Sequence, residues 1–128
     1  MVYYEAKDFP TDGLEADGQD VKVHVPREAE WRTYELYGDH GGSITVAGEG
    51  DGSAWRSGDG DGSAWRSGDG DGSAWRKGDG DGYAARYGKG TGDAWRSGKG
   101  TGYAWRDGEG DGSAWRSGEV EVEEKQND

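Results

Sequence analysis

The stretch GDGDGSAWRSGDGDGSAWRKGDGDGYAARYGKGTGDAWRS, residues 58–97, repeats one ten-residue pattern four times. The pattern continues on both sides, giving seven tandem copies over residues 48–117, and a degenerate copy begins at Gly38. In all seven copies the odd positions are Gly, Gly, Gly, Ala and Arg, whereas the even positions vary. Alternation with a period of two is typical of an extended strand, and this much glycine disfavours a helix.

A ten-residue extended unit that repeats without insertions predicts an all-β fold, namely a narrow two-sided β-solenoid with about ten residues per coil. Each coil is expected to hold two short strands joined by glycine turns, with the invariant Gly and Ala pointing inward. We expect residues 1–37 to form an N-terminal β-rich cap, with strands at 21–25 and 30–37. The solenoid then spans 38–117, and 118–128 forms a C-terminal cap strand, over 119–123, and an acidic tail.

Composition and charge exclude several classes of protein. Only 30% of the residues are hydrophobic, 27 are glycine and none is cysteine, so disulfides and thiol chemistry are excluded. The net charge of −12 disfavours direct nucleic-acid binding, which needs a basic surface. Residues 1–47 hold ten acids and four bases, for a net charge of −6. The repeats hold twelve acids and ten bases, for a net charge of −2, and the tail holds five acids and one base, for a net charge of −4. The chain has no long apolar run, so no membrane association and a cytoplasmic location are expected.

An arginine at the ninth position of every repeat shares the parity of the inward Gly and Ala. A buried row of arginines is costly unless every charge is paired. We therefore expect the alternation to break near this position, so that the guanidinium groups emerge at a corner and meet Asp side chains or stack on Trp. The residues concerned are Arg56, Arg66, Arg76, Arg86, Arg96, Arg106 and Arg116.

Tryptophan occupies the eighth position of six repeats, and Ala85 replaces it in the fourth. Because Trp to Ala is a large deletion for a core site, we expect the row to face outward, with Tyr83 and Tyr87 covering the gap. Such a row joins successive coils and also offers an aromatic platform to a partner. The row comprises Trp55, Trp65, Trp75, Trp95, Trp105 and Trp115.

The sequence offers no singular catalytic constellation. The two histidines, His24 and His40, are isolated, and every other reactive group recurs in nearly identical copies, whereas enzymes usually need one distinct site. We therefore expect a protein without enzymatic activity. Ice binding is a weaker alternative, because threonine is scarce and the faces carry charge.

The Gly-Asp-Gly-Asp-Gly segments resemble the loops of calcium-binding RTX β-rolls. The resemblance implies oxygen ligands for calcium, and it covers half of each ten-residue unit. Lys89 and Lys99 depart from it, and the interpretation favoured here is that the acids pair with bases and need no cofactor. The acids that match are Asp59, Asp61, Asp69, Asp71, Asp79 and Asp81.

The pattern GxGxGxAxR resembles uncharacterised decapeptide-repeat proteins of phages and prophages. The resemblance implies a phage-encoded accessory protein that binds and inhibits a host macromolecule or defence complex. A protein partner is expected, and homodimerisation through the Trp face is a further expectation; a structural stalk or virion component is the alternative. The residues predicted to contact the partner are Tyr83, Tyr87, Lys89, Trp95, Lys99, Tyr103 and Trp105.

Overall fold

The structure is a computed structural model. It describes residues 1–99, 102–108, 112–117 and 124–125, and from residue 116 onward it describes the backbone alone. Within these residues the regular structure is thirteen short strands and one 3-10 turn, Ala6–Asp8. No helix in the described part of the chain has the length and apolar character that crossing a membrane requires. The strands are β1 (Val2–Glu5), β2 (Leu14–Glu15), β3 (Val21–His24), β4 (Thr33–Tyr37), β5 (Ile44–Ala47), β6 (Ser53–Ser57), β7 (Ala64–Ser67), β8 (Ala74–Lys77), β9 (Ala84–Tyr87), β10 (Ala94–Ser97), β11 (Ala104–Asp107), β12 (Ala114–Ser117) and β13 (Glu124–Lys125).

Successive strands alternate between two parallel sheets. Sheet A holds the odd-numbered strands β1 to β13 in order, and sheet B holds the even-numbered strands β2 to β12. Each strand of the repeats pairs with the strand twenty residues further on, so that Ala54 lies beside Ala74 and Ala64 beside Ala84. The predicted all-β, two-sided β-solenoid with a ten-residue repeat is confirmed.

The structure differs from the prediction that one ten-residue repeat holds two strands. Each repeat supplies one strand and one corner, and two repeats complete the circuit before the chain returns to the same sheet. The physical reason lies in the GxGxG segment. Its first and third glycines adopt positive φ, as at Gly58 (+104°) and Gly62 (+153°), so this half of the unit bends and only the Ala-Trp-Arg half remains extended.

The N-terminal residues contribute two strands to each sheet. The strands predicted at 21–25 and 30–37 correspond to β3 and β4, which pair with β5 and β6 of the repeats. Residues 1–37 thus continue the solenoid, and they supply the large apolar side chains that the repeats lack. The predicted strand over 119–123 lies outside the described residues, whereas β13 pairs with β11. The large buried side chains of the first coils are Phe9, Val21, Val23, Val25, Tyr34, Leu36, Ile44 and Val46.

Alanine and arginine fill the interior of the repeats. The alanines at the seventh position are at most 8% exposed, as expected. The prediction that the arginines emerge at corners is wrong, because each described guanidinium is fully buried. Their bonding partners are backbone carbonyl oxygens, which a residue pattern does not display. The buried arginines are Arg56, Arg66, Arg76, Arg86, Arg96 and Arg106, and the side chain of Arg116 lies outside the described residues.

Arg76 illustrates how the backbone solvates a buried guanidinium. Its Nε donates to the Gly62 carbonyl at 2.6 Å and its Nη2 to Gly60 at 2.7 Å. Its Nη1 donates to Gly58 at 3.1 Å and to Lys77 at 2.7 Å. Four carbonyl acceptors therefore replace water around the charge. Three come from the single corner that joins β6 to β7, and one comes from the end of β8, the strand that carries Arg76.

The arginines form two columns, one for each sheet. Burial, and then the neighbouring Arg96 and Arg56 guanidiniums, lower the pKa of Arg76 to about 10. Burial, together with Arg66 and Arg106, likewise lowers the pKa of Arg86 to about 10. Both values remain well above neutral pH, so Arg76 and Arg86 stay positively charged at pH 7.

Acidic side chains in the corners oppose the repulsion between neighbouring guanidinium groups. Asp61 and Asp59 raise the pKa of Arg76, and Asp71 and Asp69 raise that of Arg86. The acids in the second and fourth positions of the repeats therefore have a structural role in the stacking of buried charge. This explains why acids recur beside the glycines.

Candidate functional site

The eighth position of each repeat faces outward in the middle of its strand. On sheet B it carries an unbroken row, the tryptophan ladder, which consists of Trp55, Trp75, Trp95 and Trp115. Successive ring centroids are 5.7, 5.1 and 5.9 Å apart. Trp75 and Trp95 are about a third exposed and Trp115 is half exposed, so the expectation of outward, partly exposed tryptophans is confirmed.

Sheet A carries a different row, because Ala85 lies between Trp65 and Trp105 on neighbouring strands. Ala85 is only 2% exposed although it is small and faces outward. The Tyr87 ring stacks on Trp65, with centroids 5.6 Å apart, which confirms the expected cover of the gap.

Two further tyrosines extend this group. Tyr83 and Tyr103 stack with their rings nearly parallel, at 10°, and with centroids 5.7 Å apart. Both are about 40% exposed. A cavity of about 250 Å³ lies among these side chains. We call the residues that line it the aromatic patch: Trp65, Tyr83, Ala85, Tyr87, Tyr103 and Trp105.

The patch gathers the aromatic departures from the repeat consensus, together with Ala85, at two adjacent strands. Tyr83, Ala85 and Tyr87 belong to the fourth repeat, and Tyr103 belongs to the sixth. In the chain a whole repeat separates them, but the twenty-residue pairing makes β9 and β11 direct neighbours. Because the intervening repeat lies on sheet B, the irregular positions meet on one face.

The structure brings together only part of the predicted contact surface. Tyr83, Tyr87, Tyr103 and Trp105 lie in the aromatic patch. Trp95 belongs to the tryptophan ladder on the other sheet. Lys89 follows β9 and Lys99 follows β10, so these lysines lie on opposite edges of the solenoid.

Two residues of the patch were not predicted as contacts. Sequence reasoning places Trp65 in the tryptophan row and identifies Ala85 as a gap in that row, and it names neither as a contact. The signal that identifies both is the pairing distance: once strands are placed twenty residues apart, Trp65 and Trp105 flank Ala85 directly.

The aromatic patch is uncharged at neutral pH. Burial, and then the nearby Asp107 carboxylate, raise the pKa of the Tyr87 phenol. The phenol is therefore protonated at pH 7. None of the described residues that line the cavity carries a charge, so apolar contact and ring stacking dominate the recognition that the patch can provide.

A second hollow lies beside the tryptophan ladder on sheet B. Its volume is about 280 Å³, and Trp31, Trp55 and Trp75 form its apolar walls. The indole Nε1 of Trp55 is buried without a hydrogen-bond partner. Ser53 and Ser73, at the sixth position of their repeats, complete the lining together with Thr33 and Ala54, so this hollow is more polar than the aromatic patch.

The acids that match the RTX loops make backbone contacts. Asp61 Oδ1 accepts the backbone N–H of Asp81 at 2.9 Å, and Asp71 Oδ1 accepts that of Thr91 at 2.9 Å. Asp59 Oδ1 accepts the N–H of Asp79 at 3.3 Å. Each acid thus joins its own corner to the corner twenty residues further on. Among the described residues no group of three or more His, Asp or Glu side chains is arranged to hold a metal ion.

Comparisons with known proteins add no assignment. No protein-family model matches the chain, and neither the curated proteins nor the solved structures that were searched include a significant match.

Proposed function

We propose that this protein is a non-catalytic binding scaffold, in which a stiff solenoid presents the aromatic patch to a protein partner. The observation that carries the proposal is that the aromatic departures from the repeat, together with Ala85, gather at β9 and β11. The other departures, such as Lys89, Asp93 and Lys99, are polar and lie outside the patch, and the arginine columns and glycine corners that build the frame are uniform. Partly exposed Tyr83 and Tyr103 beside a hollow are typical of the aromatic anchors of protein interfaces.

A binding role fits the distribution of polar groups better than catalysis does. His24 Nδ1 lies 3.0 Å from Glu5 Oε1 near the N-terminal end, on an exposed surface far along the chain from the patch. The buried arginines are engaged by carbonyl oxygens and support the fold. Reactive groups do not converge on the hollow of the patch, which is lined by aromatic rings and one alanine.

The partner is expected to be a protein for reasons of charge. The net charge of −12 and the acidic corners repel a phosphate backbone. The patch itself is uncharged and aromatic, which suits the apolar core of a protein interface. That the chain is phage-encoded and inhibits a host factor stays a prediction, as do a cytoplasmic location and pairing of two copies through the tryptophan ladder.

Reversion to the repeat consensus tests this proposal. The variant Tyr83→Ser, Ala85→Trp, Tyr87→Ser, Tyr103→Ser replaces the irregular residues by those commonest at the same positions. We expect it to fold, since other repeats already carry these residues, and to lose a partner that the unaltered protein captures from lysate of the producing cells. The loss should be at least about tenfold, as expected when interface anchors are removed.

The matched control is Lys89→Asp with Lys99→Asp, which changes both edges and leaves the patch intact. Retention of the same partner by this control, and its loss from the reverted protein, would support the proposal. Equal capture by all three proteins, or by none, would favour a passive stalk. Melting curves recorded with and without EDTA verify folding throughout, and a melt that collapses in EDTA would instead favour the calcium-stabilised β-roll.

A further inference from the structure

The outer face of sheet B carries a second aromatic surface, on the opposite side of the solenoid from the aromatic patch. Trp75 and Trp95 are about a third exposed, Trp115 is half exposed, and so is Trp31, which lines the hollow beside the ladder. Roughly 400 Å² of indole surface therefore faces solvent, as much as the largest apolar patch of a typical monomer. We call the tryptophan ladder and its neighbours at the sixth and tenth positions the ladder face; these neighbours are Ser53, Ser57, Ser73, Lys77, Asp93, Ser97 and Ser113.

Two opposite charges flank the ladder. The residues at the sixth and tenth positions of these strands are serine except for Asp93 and Lys77, and both of these are exposed. Asp93 precedes β10 and Lys77 ends β8, so the charges lie on opposite sides of the ladder on neighbouring strands. The register pairs Lys77 with Ser97, which lies about 13 Å along the strand from Asp93. Within one chain the two side chains therefore do not meet.

The ladder face is complementary to itself under one two-fold rotation. When two copies meet face to face with parallel solenoid axes, the rotation reverses the direction of the strands and preserves their order. The tenth position of a strand then lies over the sixth position of the same strand in the second copy. Lys77 comes within one strand spacing, about 4.8 Å, of Asp93 of the second copy, and the symmetry forms this pair twice.

An antiparallel pairing centred on the ladder lacks these ion pairs. It places sixth positions over sixth positions, so Lys77 faces a serine or a second Lys77, and Asp93 faces a serine or a second Asp93. Charge therefore favours the parallel pairing. Glu35 lies on β4, beyond the end of the ladder, and its carboxylate accepts the Ser57 hydroxyl at 2.7 Å.

The size of the ladder face suits a weak dimer. Together with the serine rows it covers roughly 600 Å², the lower end of what each partner buries in a specific interface. The small serines also leave the hollow of about 280 Å³ beside Trp55 and Trp75, into which indoles of a facing copy can pack. The acids of the corners lie at the edges of the sheet, so the net charge of −12 is not concentrated on this face.

We propose that the ladder face is the interface of a parallel homodimer, in which two tryptophan ladders pack side by side and Lys77 of each copy pairs with Asp93 of the other. A second copy is the occupant because one face supplies both members of the charge pair. This inference goes beyond the proposed function and does not depend on it, since the aromatic patch stays open on the opposite sheet.

Sedimentation equilibrium of the full chain tests the dimer. We expect a dissociation constant of about 100 μM, because an interface of this size is weak. Lys77→Asp should weaken dimerisation about tenfold, since both pairs become like-charged. The swapped variant, Lys77→Asp with Asp93→Lys, should return the affinity to within about threefold of that of the intact protein. Lys89→Asp makes the same change of charge in a corner outside the ladder face and should leave the affinity unchanged.

A protein that stays monomeric at about 1 mM, or a swapped variant as weak as Lys77→Asp, would overturn the proposal. Asp93→Lys removes the acceptor of the Ser113 N–H, which lies 3.0 Å from Asp93 Oδ1, so circular dichroism must show that the swapped variant is folded. If it is not, Lys77→Asp with Asp93→Ser replaces it, because serine keeps the acceptor, as Ser73 does for the N–H of Asp93. That variant should dimerise at least about threefold more tightly than Lys77→Asp, and no gain would overturn the proposal.

Tyr83→Ser with Tyr103→Ser separates this proposal from the proposed function. Both changes lie in the aromatic patch on sheet A, so the dimer should keep its affinity. Loss of the dimer from this variant, while Lys77→Asp has no effect, would place self-association on the aromatic patch and overturn the proposal. A retained dimer supports it, whether or not a protein partner is captured.

Discussion

Replacing Gly72 by alanine lowers the free energy of unfolding by at least about 3 kcal/mol, from a combination of steric overlap and left-handed strain. A Cβ at this position would lie 1.8 Å from the Gly52 carbonyl oxygen of the preceding coil and 3.0 Å from Arg66 Nε. The residue also has φ of +154°. Because the same carbonyl accepts the Arg66 bond, coil separation would disturb the arginine column as well.

Thermal melting of Gly72→Ala by circular dichroism measures this effect, and we expect the melting temperature to fall by about 10 °C or more. The matched control is Gly18→Ala. Gly18 also has positive φ, +95°, but a Cβ there would meet nothing within 4 Å. Its substitution should cost only about 1 kcal/mol. If both variants melt within about 2 °C of each other, the result would contradict the close approach of successive corners at Gly72.

Replacing Arg76 by methionine should cost about 3 to 5 kcal/mol, although it removes a buried charge. The gain is relief from desolvation and from repulsion by Arg56 and Arg96, which lower the pKa of Arg76. The loss is larger, because the carbonyls of Gly58, Gly60 and Gly62 lose the guanidinium donor inside the solenoid, while that of Lys77 keeps only the backbone N–H of Gly58.

Urea unfolding, monitored by circular dichroism, measures the cost. Lys77→Ser provides the control, since Lys77 is the next residue, faces solvent and is serine in several other repeats. The control should change stability by less than about 0.5 kcal/mol. Arg76→Lys keeps the charge but not the planar set of donors, so an intermediate loss is expected. A neutral or stabilised Arg76→Met variant would mean that the carbonyls do not depend on the guanidinium.

Much of the architecture was predictable because the repeat alternates with a period of two. That period predicted strands, the inward Ala54 and its equivalents, and the outward tryptophans. The substitution at Ala85 predicted which way the tryptophan row faces, because an outer surface tolerates the deletion of an indole better than a core does.

The number of repeats in a coil was not predictable from alternation alone. Ten is an even number, so the pattern keeps its phase whether a repeat completes the circuit or only crosses to the other sheet. The corner glycines show that a repeat only crosses to the other sheet. Gly58 and Gly62 bend the chain over half of each unit, so the other half forms a single strand. The aromatic patch depends on that distinction, because only the twenty-residue circuit places β9 beside β11.

The burial of the arginines was missed for a different reason. The cost of burying Arg76 was weighed against carboxylate partners, which the sequence displays, and not against backbone carbonyls, which it does not. Three glycines in five residues leave the corner carbonyls uncovered by side chains and close to the interior, where Gly60 and Gly62 accept from Arg76. A glycine-rich corner beside an invariant arginine is the signal that indicates this arrangement.

The pairing of strands twenty residues apart is the claim on which the arginine columns and the aromatic patch both depend, and engineered disulfides test it directly. The chain has no cysteine, so any bridge is unambiguous. Ser57 and Lys77 are paired on neighbouring strands of sheet B, whereas Ser67 lies on sheet A. Neighbouring strands about 4.8 Å apart suit a disulfide. Mild oxidation of dilute protein should therefore close Ser57→Cys with Lys77→Cys and leave both thiols free in Ser57→Cys with Ser67→Cys. Closure of the second pair and not of the first would establish a ten-residue circuit, and the patch on β9 and β11 would not exist.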